Sequence, residues 1–311
     1  MRRPPPLRLI PHFPATAGTA ILALIATLAG WFGADLSRVI ADAHLAHGQL
    51  WRLITCALPH RDPFHLAFNL YWLWVFGTLI EAYFGAAKTF ALYGLLALVS
   101  AAAEYAMLDG GVGLSGIVFG LFAMLMILTH RRPRDARFDG AVDERTVHLF
   151  AAWFFLGIVT TITGLLPVAN LAHLFGAAIG ALVALAMKAR KRVWIPASLA
   201  TLLICFATFA RPYLNCSAHR GEEQAYLGYE ALNRNSNDEA AWWLSDATIM
   251  RPDDGRNWFN LAIARSKLKN YPLALIAYTR AAESDPENMT YRQARDQMRA
   301  YVMAIQTASA N

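Results

Sequence analysis

The chain has 311 residues, 56% of them hydrophobic, a mean hydropathy of +0.32 and a formal net charge of +6. That balance excludes one or two ordinary soluble domains and points to a polytopic membrane protein. The positive charge is concentrated in short connections between apolar runs, so it speaks to topology and gives no support for nucleic-acid binding.

In chain order, Met1-Arg2-Arg3 is basic, but prolines follow and the next apolar run lacks a small-residue cleavage site, so no cleaved signal is expected. Residues 1–16 read instead as a cytoplasmic segment before the first span. A spanning helix needs roughly 20 mostly apolar residues. On that measure spans are predicted at 17–35, 64–83, 87–108, 115–130, 148–167, 170–187 and 193–210. The first six form a core over 17–187, and 188–212 is a basic loop with a seventh span. The fourth and sixth are short, as befits helices that begin below the surface at a site.

Arg2, Arg3 and Arg8, Lys88, Arg131 to Arg145, and Lys188 to Arg192 fall in alternate connections. The positive-inside rule then puts the N-terminus in the cytoplasm and, with seven spans, the C-terminal tail outside. Cys56, Cys205 and Cys216 show neither a disulfide framework nor zinc spacing.

After Pro212 the composition turns polar and helix-favouring. Residues 221–311 hold 10 Lys/Arg against 12 Asp/Glu, so the tail is acidic while the rest is strongly basic. Ala240, Leu244, Ala247 and Pro252 recur 34 residues later as Ala274, Tyr278, Ala281 and Pro286. This period resembles the tetratricopeptide repeat, with units at about 221–254 and 255–288 and a capping helix near 288–305. A stack of this kind implies a groove for a protein or peptide ligand.

The chemistry-bearing residues lie in the apolar part. Ser115, in Gly113-Leu114-Ser115-Gly116, opens one run, and His173, in Ala172-His173-Leu174-Phe175-Gly176, opens another. Polar groups at membrane depth are functional candidates, because lipid cannot hydrogen-bond them. A serine hydroxyl needs a base to take its proton, and histidine does this near neutral pH. Gly116 and Gly120 on one helix, and Gly176 and Gly180 on the other, allow the close packing that joins the two. No third carboxylate is evident, so a dyad is expected. His65 and Asn69 share a helix face and offer donors for an oxyanion, as does the free N–H of Ser115. Three histidines also suit a metal, yet no carboxylate or cysteine completes a ligand set with His65, so neither metal nor cofactor is expected.

Taken together, Trp51-Arg52, His60/His65/Asn69, Glu81, Gly-Leu-Ser115-Gly and Ala-His173-x-x-Gly176-x-x-x-Gly180 resemble the rhomboid family of intramembrane serine proteases. The resemblance runs through residues 51–180. It implies an all-α, six-helix membrane core in which Ser115 is the nucleophile and His173 the general base. It further implies that His65 and Asn69 assist the oxyanion hole with Gly113 and Gly116 around it. His60 would hold the loop above, and Phe119 would pack beside the histidine. Trp51 and Arg52 would belong to an embedded outer loop, and Glu81 would support the scaffold. The substrates implied are transmembrane proteins in the lipid bilayer, cut near the outer end of their spans. They would enter between the second and fifth spans, past Trp72 and Trp74 on one side and Trp153, Phe154 and Phe155 on the other. A bacterial inner membrane is the expected location. The rival is a non-catalytic membrane adaptor, which the presence of both Ser115 and His173 disfavours.

Overall fold

A computed structural model of the chain describes residues 4–130, 136–189, 198–199, 201–202, 205, 209–217 and 219–310. The described residues are helical or irregular, with no strand among them, and they form two compact units, Met1–Arg211 and Pro212–Asn311.

The first unit contains α1 (Pro14–Trp31), a single turn α2 (Arg52–Thr55), α3 (Pro63–Phe84), α4 (Ala86–Met107), α5 (Ser115–His130), α6 (Glu144–Ile162) and α7 (Asn170–Ala189). Five of these, α1, α3, α4, α6 and α7, are long and apolar enough to cross a membrane, and α5 is a shorter apolar helix. The predicted span at 193–210 lies largely outside the described residues.

Two predicted boundaries shift for local reasons. The span expected at 148–167 begins at Glu144, because the Asp143 carboxylate accepts from the Thr146 N–H at 2.9 Å and caps the helix. It ends by Ile162, before Gly164 takes φ 71. The span expected at 17–35 begins at Pro14, where a missing N–H costs nothing, and stops before Gly33 at φ 91.

Buried polar groups fix how these helices meet. The first N–H groups of a helix lack intrahelical acceptors. For α1 they are met from another helix: the buried Glu81 carboxylate accepts from Ala15 and Thr16, each at 2.8 Å. In the connection before α3, buried Arg52 donates to the Asp42 carboxylate at 2.7 Å, the Ile40 carbonyl at 3.0 Å and the Gln49 side chain at 2.7 Å. That one side chain ties the loop together, while the neighbouring Trp51 is exposed.

At the centre, every residue of α5 from Ser115 to Leu125 is buried. It meets α7 through the four glycines the spacing predicts. A Cβ on Gly176 would fall 3.0 Å from the Gly116 carbonyl carbon and 3.2 Å from its Cα. On Gly180 the same distances to Gly120 would be 2.6 and 2.8 Å. The helices therefore touch backbone to backbone, which only glycine permits.

The aromatic residues of α3 divide between two neighbours. Trp72 and Trp74 are both buried, Trp72 edge-on to Phe150 of α6 and so on the α3–α6 seam, Trp74 turned away from it. Trp74 donates to the Pro5 carbonyl at 2.8 Å and packs edge-on to Phe13, while Trp72 joins Phe76 and Phe150. The α3–α6 seam is also filled by Phe68 stacked on Trp153 at 4.9 Å, with Phe64 beside it. Helix α6 buries only Thr146, Phe150 and Gly157, and Phe155 faces outward.

At its close the unit is pinned by Arg211. Its buried guanidinium donates to the carbonyls of Tyr105 and Leu108 and lies 3.8 Å from the centre of the Tyr105 ring. A cation there suits the carbonyl end of α4.

The second unit follows a single turn, α8 (Arg211–Leu214), and comprises α9 (Glu222–Asn233), α10 (Asn237–Met250), α11 (Gly255–Lys267), α12 (Tyr271–Ser284) and α13 (Met289–Ala310). Two helical hairpins are placed in register with the 34-residue offset. Asn235 and Lys269 each turn the chain between paired helices at φ 60, and α10 and α12 start and stop at equivalent positions. Ala240 and Ala247, like Ala274 and Ala281, are fully buried where helices cross. Helix α13 runs five residues beyond the capping helix expected near 288–305.

Candidate active site

Ser115 is the first residue of α5, so its N–H has no intrahelical acceptor. The preceding loop reaches it under two constraints. Gly113 adopts φ 112, and a Cβ there would meet His65 Cε1 at 2.6 Å and His65 Nε2 at 2.8 Å. Glycine is thus required both by backbone conformation and by the imidazole pressed against it. The Gly113 N–H donates to the Cys56 carbonyl at 3.1 Å.

His60 holds the next residue. Its Nε2 accepts from the Leu114 N–H at 3.3 Å, and its Nδ1 lies 2.9 Å from the Leu58 carbonyl. That pattern requires the neutral ring with its proton on Nδ1. Burial, reinforced by the neighbouring His65, lowers His60 to about 4, so it stays neutral at pH 7. The His60 and His65 rings are edge to face at 4.8 Å.

His173 sits in the first turn of α7 and is buried. Its ring stacks on Phe119 at 4.3 Å with 12° between planes. Phe119 lies one turn beyond Ser115 on the same face of α5, so the stack sets His173 beside the serine's face. Among the described residues His173 Nδ1 has no hydrogen-bond partner. The face of the ring is set by the Phe119 plane. Gly116 is required by α4, since its ideal Cβ would lie 2.5 Å from the Ser100 Cβ, and it leaves the Ala172 carbonyl oxygen at an ordinary 3.5 Å.

Asn69 lies one turn along α3 from His65, fully buried, with both Oδ1 and Nδ2 unpartnered. The structure thus brings His60, His65, Gly113 and Ser115 together at one loop, and Gly116, Phe119 and His173 together at the α5–α7 crossing.

A small cavity in front of Ser115 is also lined by Cys56, Ser100, Glu104 and Ala172. Ser100 and Glu104 did not figure in the sequence reading. A carboxylate inside an apolar run is itself a signal, and that rule finds Glu104. Within the second unit a cleft of about 760 Å³ is lined by residues such as Arg251, Asp254 and Tyr291.

Residues 47–190, within the membrane unit, match the family model described as the Rhomboid domain. Three relatives are each named rhomboid protease GlpG. The chain is 31% identical over 148 residues to that of Enterobacter sp. (strain 638), covering 46% of this chain and 51% of the relative. It is 31% identical over 138 residues to that of Serratia proteamaculans (44% and 48%). For Photorhabdus laumondii the figures are 32% over 142 residues (45% and 48%). The chain spans about half the length of these relatives.

Proposed function

We propose that the protein is an intramembrane serine endopeptidase that cuts transmembrane proteins near the outer end of their spanning helices. The observation that carries this reading is the glycine-paired crossing of α5 and α7, with Phe119 stacked on His173 one turn from Ser115. In the proposed reaction His173 takes the Ser115 proton as Oγ attacks the scissile carbonyl. The tetrahedral oxyanion is met by the Ser115 N–H, the Asn69 amide and the His65 ring. His173 then passes the proton to the departing amine, and water, activated by the same histidine, releases the acyl group.

Access from the bilayer is proposed at the α3–α6 seam, supported by how little of α6 is buried. The tail is read as a tetratricopeptide-like domain, supported by its hairpins at a 34-residue offset, and its proposed role is recruiting substrates or partners. A site open to the outside, a cytoplasmic N-terminus and a bacterial inner membrane complete the reading, in keeping with the charge distribution and the bacterial relatives.

The test is cleavage of a model transmembrane substrate by purified protein in liposomes, beside Ser115→Ala and His173→Ala. Cleavage by the wild type alone is expected. A wild type that binds the substrate and never cuts it would favour the adaptor.

A further inference from the structure

Helix α7 carries the proposed base, and its N-terminus has no cap of its own. The residue at the N-cap position is Ala169, whose carbonyl accepts from the His173 N–H at 3.2 Å but whose side chain offers no acceptor. The next side chain, Asn170, turns away: its Nδ2 donates to the Gly157 carbonyl at 3.2 Å, the Val168 carbonyl and the Thr161 hydroxyl. The N–H groups of Leu171 and Ala172 would therefore be orphaned in a buried site. The Ala172 group is met from α4, 68 residues away. Glu104 Oε2 accepts from the Ala172 N–H at 2.9 Å. Glu104 is almost fully buried.

The arrangement repeats what Glu81 does for α1, where Ala15 and Thr16 are the second and third residues of the helix. In each case a carboxylate from a neighbouring helix replaces the side-chain cap that the local sequence lacks. At α7 the position has a consequence that α1 does not share, because His173 is the residue after Ala172.

Building on the reading of Ser115 and His173 above, we infer that Glu104 is a positioning residue for the catalytic base. It holds the first turn of α7 in place so that the imidazole keeps its distance from Ser115. It does not touch the reacting atoms.

The experiment compares Glu104→Ala, Glu104→Gln and the double variant Glu104→Ala/Ala169→Ser. Three quantities are read in the same detergent: kcat and KM on a model transmembrane substrate, the rate of labelling by a fluorophosphonate probe, and Tm. Glutamine keeps an acceptor oxygen, so Glu104→Gln is expected to stay within about threefold of wild type in kcat. Glu104→Ala is expected to lose at least about tenfold in kcat and in labelling rate with KM unchanged, since small displacements of a catalytic group are expensive. Serine at position 169 supplies a conventional cap and is expected to recover a large part of that loss.

A merely structural role would lower Tm in step with activity and would not separate kcat from KM. The inference is overturned if Glu104→Ala labels and cleaves like the wild type, or if Glu104→Gln is as impaired as Glu104→Ala and Ala169→Ser restores nothing. Its failure is distinct from failure of the underlying reading: an unreactive wild type refutes the latter. In that case amide exchange at Leu171 and Ala172 in Glu104→Ala still tests the cap.

Discussion

Replacing Gly176 with alanine probes the contact on which the site depends. The new Cβ would stand 3.0 Å from the Gly116 carbonyl carbon and 3.2 Å from its Cα, with the carbonyl oxygen closer still. Ordinary carbon contacts lie at about 3.5–4.0 Å. The neighbour is helix backbone, which cannot swing aside as a side chain would, and the carbonyl oxygen sets the limit, so α5 and α7 must part locally by about 1 Å or more. Overpacking of this kind costs about 1–3 kcal/mol. Alanine returns about 0.5–1 kcal/mol through its helix preference, which leaves a modest net loss of stability. The functional loss is expected to be larger, because a misplacement of about 1 Å in a catalytic group reduces rate by up to about 10²-fold. Gly94→Ala on α4 is the matched control, since nothing lies within 4 Å of its ideal Cβ. Thermal unfolding in detergent and kcat on a model substrate are measured for both. The account expects Gly176→Ala to lose at least about tenfold in kcat while Gly94→Ala keeps wild-type activity and stability. If the two variants behave alike, the backbone contact between α5 and α7 does not set the geometry of the site.

Other consequences follow from named contacts. Glu81→Ala strands the N–H groups of Ala15 and Thr16 and should cost about 2–4 kcal/mol, read as a lower Tm, with activity retained where the protein is still folded. Phe119→Ala removes the plane that orients His173 and should lower kcat by about tenfold or more, whereas Phe119→Tyr keeps the stack and most of the activity. In the tail, burial pushes the Asp246 carboxyl up to about 6 from its ordinary value of 3.8. The folded tail then holds a proton that the unfolded chain has released, so its stability is greatest below the ordinary value and falls as pH rises through about 6. Asp246→Asn should flatten that dependence in the urea midpoint of the tail's helices; an unchanged slope would remove Asp246 as its cause.

Features written into local spacing were legible in the sequence. Glycines four apart on two apolar runs predict a close helix crossing, and Gly116, Gly120, Gly176 and Gly180 form one. The 34-residue recurrence likewise reappears in the hairpin turns at Asn235 and Lys269. What escaped the reading depends on partners distant in the chain. Nothing near Ala169 says that its missing cap is supplied by Glu104, although a carboxylate in an apolar run carried a warning. Composition also could not tell a lipid-facing tryptophan from a packed one. Trp72 and Trp74 are buried because α3 lies against its neighbours on several sides, and that depends on tertiary packing. Helix ends moved by a few residues where a cap or a left-handed glycine, as at Asp143 and Gly33, prevailed over hydropathy.

The most direct test of the central claim is the site of covalent capture. Purified wild type, Ser115→Ala and His173→Ala are exposed to a fluorophosphonate probe, and the modified residue is located by mass spectrometry. The account predicts one adduct, on Ser115, absent from Ser115→Ala and formed far more slowly in His173→Ala. An adduct on another residue, or equal labelling of Ser115 with and without His173, would contradict it.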